Sequence, residues 1–274
     1  MSNIEVVTPA RDEAENLEPV LTALFNQTLP PKRVIVVDDN SADATRSIAH
    51  KFGCQVVSLS DHSTRRELGT PDLADVYNAG LSCVSDSADY VMILGADHIL
   101  PHDYIASIVS FMEKESLTLA SGIIDGETSI VPRGSGRIVR ADVWRNAMGS
   151  IRYPRNFGFE TYLVLKLESL GFKSSVLDIG SRTLRRTGST VKQTNYGRGM
   201  KWLGYTLKYM LGRALVTTIR YRNPIKGIQM IYGYVTYSEK SDVASYLSKQ
   251  QNELLLSYLR SPRKLYRRII GIST

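Results

Sequence analysis

A chain of 274 residues with 43% hydrophobic and 22% charged residues has a globular composition and ample material for a core. No apolar run approaches the roughly 20 residues that span a bilayer, and two cysteines, Cys54 and Cys83, exclude a disulfide framework and fit buried thiols in a reducing cytosol. The net charge of +7 conceals a split: residues 1–180 carry 16 Lys and Arg against 24 Asp and Glu, a net of −8, whereas residues 181–274 carry 18 against 3, a net of +15.

The opening MSNIEVVTPARDE has neither a basic n-region nor an apolar h-region, so no secretory signal is expected. Ile4 to Thr8 reads as a first strand running into Pro9-Ala10-Arg11-Asp12-Glu13. A helix follows from about Glu15 to Asn26, closed by Leu29-Pro30-Pro31. Val34 to Ser41, VIVVDDNS, is the stretch that organises the rest. Its β-branched run is too apolar for a half-exposed strand and predicts one buried on both faces of a parallel sheet. The run stops on Asp38 and Asp39. Asn40 and Ser41 supply turn and N-cap chemistry for a helix from Ala42 to Phe52, and Gln55 to Leu59 makes a third strand. Strand, helix, strand, helix, strand is the alternation that builds a parallel sheet. No GxGxxG follows the first strand, so the loops do not carry the dinucleotide fingerprint.

Beyond an irregular stretch from Asp61 to Asp72, Leu73 to Ser85 has helical composition and contains Asn78-Ala79-Gly80. Tyr90 to Leu94 is a buried strand ending in Gly95-Ala96-Asp97-His98. A helix is predicted from His102 to Lys114 and a strand from Leu117 to Gly122. Short extended pieces surround Pro132-Arg133-Gly134-Ser135-Gly136. They precede a helix over Ala141–Ala147, a loop over 152–159, a helix over Glu160–Leu170 and a last strand over Lys173–Leu177. The expected organisation is an α/β body over residues 1–180 and a basic, Tyr-rich helical extension over 181–274.

Carboxylates cluster where open α/β sheets bind ligands, at the carboxyl ends of strands. Asp12, Glu13, Asp38 and Asp39 are acceptor-only groups suited to the N–H and O–H donors of a base and a ribose, and Arg11 would offset phosphate charge. One cap explains one carboxylate and leaves its neighbour without a role. Asp97 would hold a hard cation against a diphosphate. For His98 beside it, a solvated surface histidine is the expectation. Glu160 opens a helix, where capping and general-base chemistry are alternatives.

These residues resemble the inverting family 2 glycosyltransferases of GT-A fold, a Rossmann-like, mostly parallel sheet flanked by helices. VVTPARDEAENLEPVLTALFNQTLPPKRVIVVDDNSADAT is similar to that family's N-terminal signature over its whole length, and the resemblance extends over roughly residues 3–200. It implies a nucleotide pocket lined by Thr8, Pro9, Arg11, Glu13, Asp38, Asp39, Asn78 and Ala96, with Asp39 facing the base. Asn78-Ala79-Gly80 resembles the family's Arg-Asn-x-Gly helix, Tyr77 standing for the usual basic residue. GADHIL resembles the DxD segment with Gly95 in place of the first Asp, so the resemblance leaves Asp97 alone with Mg²⁺ or Mn²⁺. GSGRIVRADVW is similar to the acceptor-side segment through Gly136 and Arg140. GFETYLVLKLESLGF resembles the Glu-Asp helix, with Glu160 in the position of the catalytic base, and Arg185-Arg186-Thr187-Gly188 stands where a histidine is common. The implied reaction is a single displacement from a nucleotide-diphosphate sugar to a sugar or polyprenyl-phosphate-type acceptor. Cytoplasmic placement at the inner membrane face would suit it.

The tail mixes apolar and aromatic residues with Lys and Arg over Gly199–Arg213, Leu215–Tyr237 and Tyr258–Ile270. Interfacial helices touching a membrane through 199–270 and a self-packed helical subdomain both fit this pattern, and the two are compatible. No RNA- or DNA-binding signature is present, so no nucleic-acid partner is expected. A catalytically silent nucleotide-binding scaffold held at a membrane is the alternative of a different class. A nucleotidyltransferase would need glycines that TPARDEAEN lacks.

Overall fold

The structure, a computed structural model, describes residues 2–60, 70–126, 131–184 and 192–260, with 254–260 described by backbone only. Two compact units divide the chain, Met1–Val191 and Lys192–Thr274. The first contains β1 (Ile4–Ala10), α1 (Ala14–Phe25), β2 (Arg33–Asp38), α2 (Thr45–Lys51), β3 (Gln55–Ser58), α3 (Pro71–Leu81), β4 (Tyr90–Ile93) and β5 (His98–Ile99). It continues through α4 (Tyr104–Lys114), β6 (Leu119–Ile124), β7 (Arg137–Arg140), α5 (Ala141–Met148), α6 (Phe159–Ser169) and β8 (Ser174–Thr183).

The sheet runs β3-β2-β1-β4-β7-β6-β8-β5. β1 pairs in parallel with β2 and β4, and β2 with β3. β7 lies antiparallel between β4 and β6, β6 and β8 are parallel, and β5 is antiparallel to β8. Alternation along the strands explains the apolar runs. Ile4, Val6, Val34, Val36 and Met92 face one layer, where α1 and α4 contribute Leu17, Leu21, Ile105 and Ile108. Val7, Ile35, Val37, Val91 and Ile93 face the other, against α3, α5 and α6 through Leu81, Trp144, Phe159 and Leu163. A strand covered on both faces has no polar side to alternate, so VIVV is what such a strand requires. Each fully buried side chain of this size contributes about 1.5–3 kcal/mol.

Gly80 sets the distance between α3 and the sheet. A Cβ there would lie 2.6 Å from side-chain atoms of both Val37 and Val7, so only glycine lets the helix approach so closely. Within the parallel block, Ala10 pairs with Asp38 and Val7 with Ile93, so the loops after β1, β2 and β4 open at one edge of the sheet. Ile93 pairs with Arg137 across the antiparallel β4–β7 ladder, which brings the 133–136 loop to that same edge.

The second unit is helical in its described residues: α7 (Gln193–Leu203), α8 (Leu207–Tyr221), α9 (Pro224–Thr236) and α10 (Ala244–Arg260). The continuous Gly199–Arg213 stretch of the sequence reading is broken at Gly204 (φ 88°), and Thr206 caps α8 by accepting from Tyr209 N at 3.4 Å. Asn223 and Pro224 divide Leu215–Tyr237 in the same way, Asn223 Oδ1 accepting from Ile225 N at 2.9 Å. Met200, Met210, Ala214, Met230 and Tyr234 form a small core of their own. Residues 61–69 and 185–191, and the side chains of the basic Tyr258–Ile270 segment, lie outside the described residues.

Candidate functional site

The loops after β1 and β2 are laced together. Asp12 N donates to Ser41 Oγ (3.0 Å) and Asp12 Oδ1 accepts from Ala42 N (2.8 Å). Glu13 N donates to Thr45 Oγ1 (2.8 Å), and Ala14 N to Asp43 Oδ2 (2.9 Å). Asp12 (φ 54°) and Asn40 (φ 58°) hold left-handed backbone, a conformation that persists only where surrounding structure enforces it. Glu13 is buried and its Oε2 accepts from Asn16 Nδ2 (2.9 Å). Thr8 is fully buried in β1, its hydroxyl without a hydrogen-bond partner. Pro9 follows it in the strand.

The two adjacent aspartates part ways here. Asp38 is wholly buried. Its Oδ1 accepts from Ser41 N (3.0 Å) and its Oδ2 from Arg46 Nε (2.9 Å) and Nη2 (2.7 Å). That carboxylate organises the turn, holding Ser41 N and the Arg46 guanidinium. Asp39, also buried, lies 3.7 Å from Arg11 Nη1. Asn78 is likewise bonded within the protein: Nδ2 donates to Tyr153 O (3.0 Å) and Oδ1 accepts from Tyr153 N (2.7 Å). The two ends of its amide clamp the backbone of one residue, Tyr153, in the loop before α6.

At the end of β4, Ala96 is buried and Gly95 N donates to Ser135 Oγ (2.8 Å). A Cβ on Gly95 would stand 3.0 Å from Asp97 Oδ1 and 3.2 Å from Ser135 Oγ. His98 is not solvated as expected; it is 1% exposed. Its Nδ1 lies 2.6 Å from Ser135 Oγ and its Nε2 2.7 Å from Ser181 Oγ. Ser181 donates its proton to Ile123 O (2.7 Å), so it must accept from Nε2–H, and Nδ1 must accept from Ser135. Burial, with Arg133 nearby, pushes the imidazole down to about 4. His98 is therefore a neutral bolt joining β5, β8 and the 133–136 loop, and neither nitrogen remains for a metal.

Glu160 enters from the first turn of α6 and packs on Gly134; a Cβ there would collide with its carboxylate oxygen and stand 2.8 Å from Cδ. Burial raises the Glu160 carboxyl above its ordinary value, with Arg137 opposing. Arg137 is buried, its guanidinium donating to Arg133 O (2.7 Å), Glu160 O (2.8 Å) and Pro132 O (3.0 Å). Tyr77 and Tyr153 pack edge to face at 5.7 Å, each also against Phe159. Burial chiefly, with Glu160 and Asp97 among the nearby charges, pushes the Tyr77 hydroxyl well up. Tyr153 is likewise raised; its buried hydroxyl makes no hydrogen bond of good geometry although Arg137 lies beside it. Glu160, Asp97, Arg137, Tyr77 and the 133–136 loop thus share one neighbourhood.

The two acceptor-side candidates do not behave alike. Gly136 (φ 79°) reaches this edge, but a Cβ there would stand 2.6 Å from Tyr104 Oη and 3.2 Å from His98 Cε1, so its surroundings are protein. Arg140 pairs with Tyr90 at the opposite end of β4, roughly 10 Å along the strand. It is exposed and bonds Asp142 at 2.8 Å. The motif puts Arg140 close to the site in sequence, and the direction of β7 carries it away. Among the described residues no group of three or more His, Cys, Asp and Glu is placed to hold a metal ion. A cation held by one carboxylate and completed by diphosphate oxygens needs no such group, so Asp97 fits that role. Ser135, Ser181 and Tyr153 carry no signal in the sequence because their partners are distant in the chain, and Arg137 carries none because its partners are backbone carbonyls, which any residue supplies.

Residues 5–164 match the family model described as glycosyl transferase family 2. A Haemophilus influenzae protein described as an uncharacterized glycosyltransferase is 25% identical over 150 residues, 53% of this chain and 44% of that one. The chain therefore spans less than half the length of this curated relative. Among solved structures, the mannosyltransferase PcManGT from Pyrobaculum calidifontis, in complex with GDP-Man and Mn²⁺, aligns over 98% of this chain and 84% of its own (TM-score 0.60, 14% identity). S. aureus TarS 1–349 in complex with UDP-GlcNAc aligns over 85% and 71% (TM-score 0.54, 14% identity). At these identities the likeness concerns the fold, which is GT-A. With more than half of its length matched by the family model, the chain belongs to glycosyl transferase family 2.

Proposed function

We propose that the chain transfers a sugar, with inversion, from a nucleotide-diphosphate sugar to an acceptor hydroxyl or lipid phosphate. Residues 1–180 would do the catalytic work, with 181–274 as an extension that contacts a membrane surface through 199–270. The observation that carries this reading is Glu160: a carboxyl raised by burial and set in one neighbourhood with Asp97 and the buried Arg137. A carboxylate lifted toward the working pH is a better general base. Glu160 removes the proton of the acceptor hydroxyl as its oxygen attacks the anomeric carbon from the face opposite the leaving diphosphate. Arg137, held by three carbonyls, keeps enough positive charge nearby for Glu160 to ionise. Arg11 and Asp39 form the nucleotide end of the pocket, on loops whose mutual lacing fixes them before ligand arrives. A divalent cation on Asp97 would neutralise charge on the departing diphosphate.

Similar enzymes are held with a uridine and a guanosine nucleotide, so both bases belong in the test. Thermal unfolding of the full chain is followed against UDP and GDP, with and without Mn²⁺. Ligand at a hundred times Kd adds about 2.7 kcal/mol to the folded state. A shift with one nucleotide that grows with Mn²⁺ is expected. No shift with either would count against the transferase and the silent nucleotide-binding scaffold alike, and a shift with no release of nucleoside diphosphate from the donor sugar would favour the scaffold.

A further inference from the structure

The α8–α9 hairpin buries one face and leaves an apolar one outside. Met210, Ala214, Met230 and Tyr234 turn inward. On α8, Leu207, Leu211, Leu215 and Ile219 recur every four residues and are 46–66% exposed. On α9, Ile225, Ile228, Tyr232 and Val235 follow at three- and four-residue spacing and are 58–63% exposed. Both are helix-face periodicities, so each helix carries a stripe rather than scattered residues. Stripes of large aliphatics this exposed on neighbouring helices mark an interaction surface.

Charge identifies the occupant. From Leu207 to Thr236 the chain has five basic residues, Lys208, Arg213, Arg220, Arg222 and Lys226, and no Asp or Glu. A second copy docked through this hairpin would set positive charge against positive charge. An anionic bilayer supplies both what the stripes and what the cations lack. Tyr209 and Tyr221, both exposed, add rings with a wet end and a dry end, suited to the headgroup level. Among the described residues no helix is long and apolar enough to cross a membrane. At about 22 Å for 15 residues, α8 suits lying in the interface plane.

We propose that the α8–α9 hairpin is the membrane-contacting element, docking flat on an anionic lipid surface with both stripes in the acyl boundary and its Lys and Arg at the phosphates. This rests on the membrane-contact reading of the tail and assigns it to one face. The test is flotation of the full chain with phosphatidylcholine vesicles and with vesicles containing 30% phosphatidylglycerol. Binding to the anionic vesicles alone, weakening with salt, is expected. Each basic residue near a surface is worth about fivefold in partitioning, so Lys208→Ser, Arg220→Ser and Lys226→Ser together should lower it on the order of a hundredfold. Leu211→Ser, Ile219→Ser and Ile228→Ser, all exposed, should remove binding with the helical signal and thermal midpoint retained. Chain that stays in the aqueous fraction with both vesicles overturns the proposal, as does equal flotation with both. So does a dimer in solution that the serine variants of the stripe dissolve. The UDP and GDP thermal shifts are recorded on the same proteins. Lipid binding with the stated dependences supports the proposal whether or not those shifts appear, and shifts without lipid binding overturn it while leaving the transferase reading standing.

Discussion

Gly134→Ala is the sharpest probe of the base. Its Cβ would stand 2.8 Å from Glu160 Cδ, against an ordinary contact of 3.4–4 Å, so the carboxyl carbon must retreat by at least about 0.6 Å and the nearer oxygen by more. What moves is the tip of a flexible side chain. Rotating it off its preferred well costs on the order of 0.5–1.5 kcal/mol, so the fold should persist with a nearly unchanged thermal midpoint. Catalysis is less forgiving, because a displacement of about 1 Å in a reacting group costs on the order of 10²-fold. The assay is release of nucleoside diphosphate from the donor sugar, run beside thermal unfolding. Full turnover in a well-folded Gly134→Ala protein would refute the assignment of Glu160. Pairing it with Glu160→Gln should add little to the loss from Glu160→Gln alone, since both act on one group.

Glu160→Gln should itself lower turnover by about 10²–10⁴-fold while the nucleotide thermal shift remains. Burial raises the folded-state carboxyl above its ordinary 4.5, so the fold carries a penalty for ionising it that is absent at lower pH and grows as pH rises through the raised value. The variant should therefore be the more stable protein at pH 7 and lose that advantage near pH 4; equal midpoints at pH 7 would contradict the burial. Asp38→Asn should lower stability by about 1–3 kcal/mol in denaturant titration, because Arg46 and Ser41 N lose their charged acceptor. Arg140→Ala should leave nucleotide binding and turnover within twofold and stability within about 1 kcal/mol, its partner being an exposed aspartate. A large loss of turnover would return Arg140 to the acceptor side.

Much of the architecture was legible in local pattern. VIVV and YVMI announced strands covered on both faces, and Pro, Gly and Asn punctuated the helices between them. The loops carrying Asp12, Glu13, Asp38 and Asp39 stand at the sheet edge where strand ends predict them. Local pattern fails where meaning depends on a distant partner. His98 reads as a surface residue because Ser135 and Ser181, 37 and 83 positions away, are what bury it. Asp38 and Asp39 look equivalent until Arg46 takes one and Arg11 faces the other. Nothing near Asn78 in the sequence points to the Tyr153 backbone, 75 residues on, to which both ends of its amide bond. Arg140 shows another limit: proximity in a motif does not fix proximity in space, because the antiparallel β7 sets Arg140 beside Tyr90 and Arg137 beside Ile93.

The neighbourhood of Gly95 bears on why this segment carries one carboxylate. A two-carboxylate segment would need aspartate at 95, yet any side chain there presses on Asp97 Oδ1 and Ser135 Oγ together. Ser135 in turn holds the imidazole that ties three segments of the body. Aspartate at 95 would therefore set two like charges side by side and press, by a few tenths of an ångström, on the serine that makes this tie. Glycine at 95 thus keeps one carboxylate at this loop and leaves the hydroxyl of Ser135 free to serve the imidazole, so the single-carboxylate segment and the buried histidine belong to one packing arrangement.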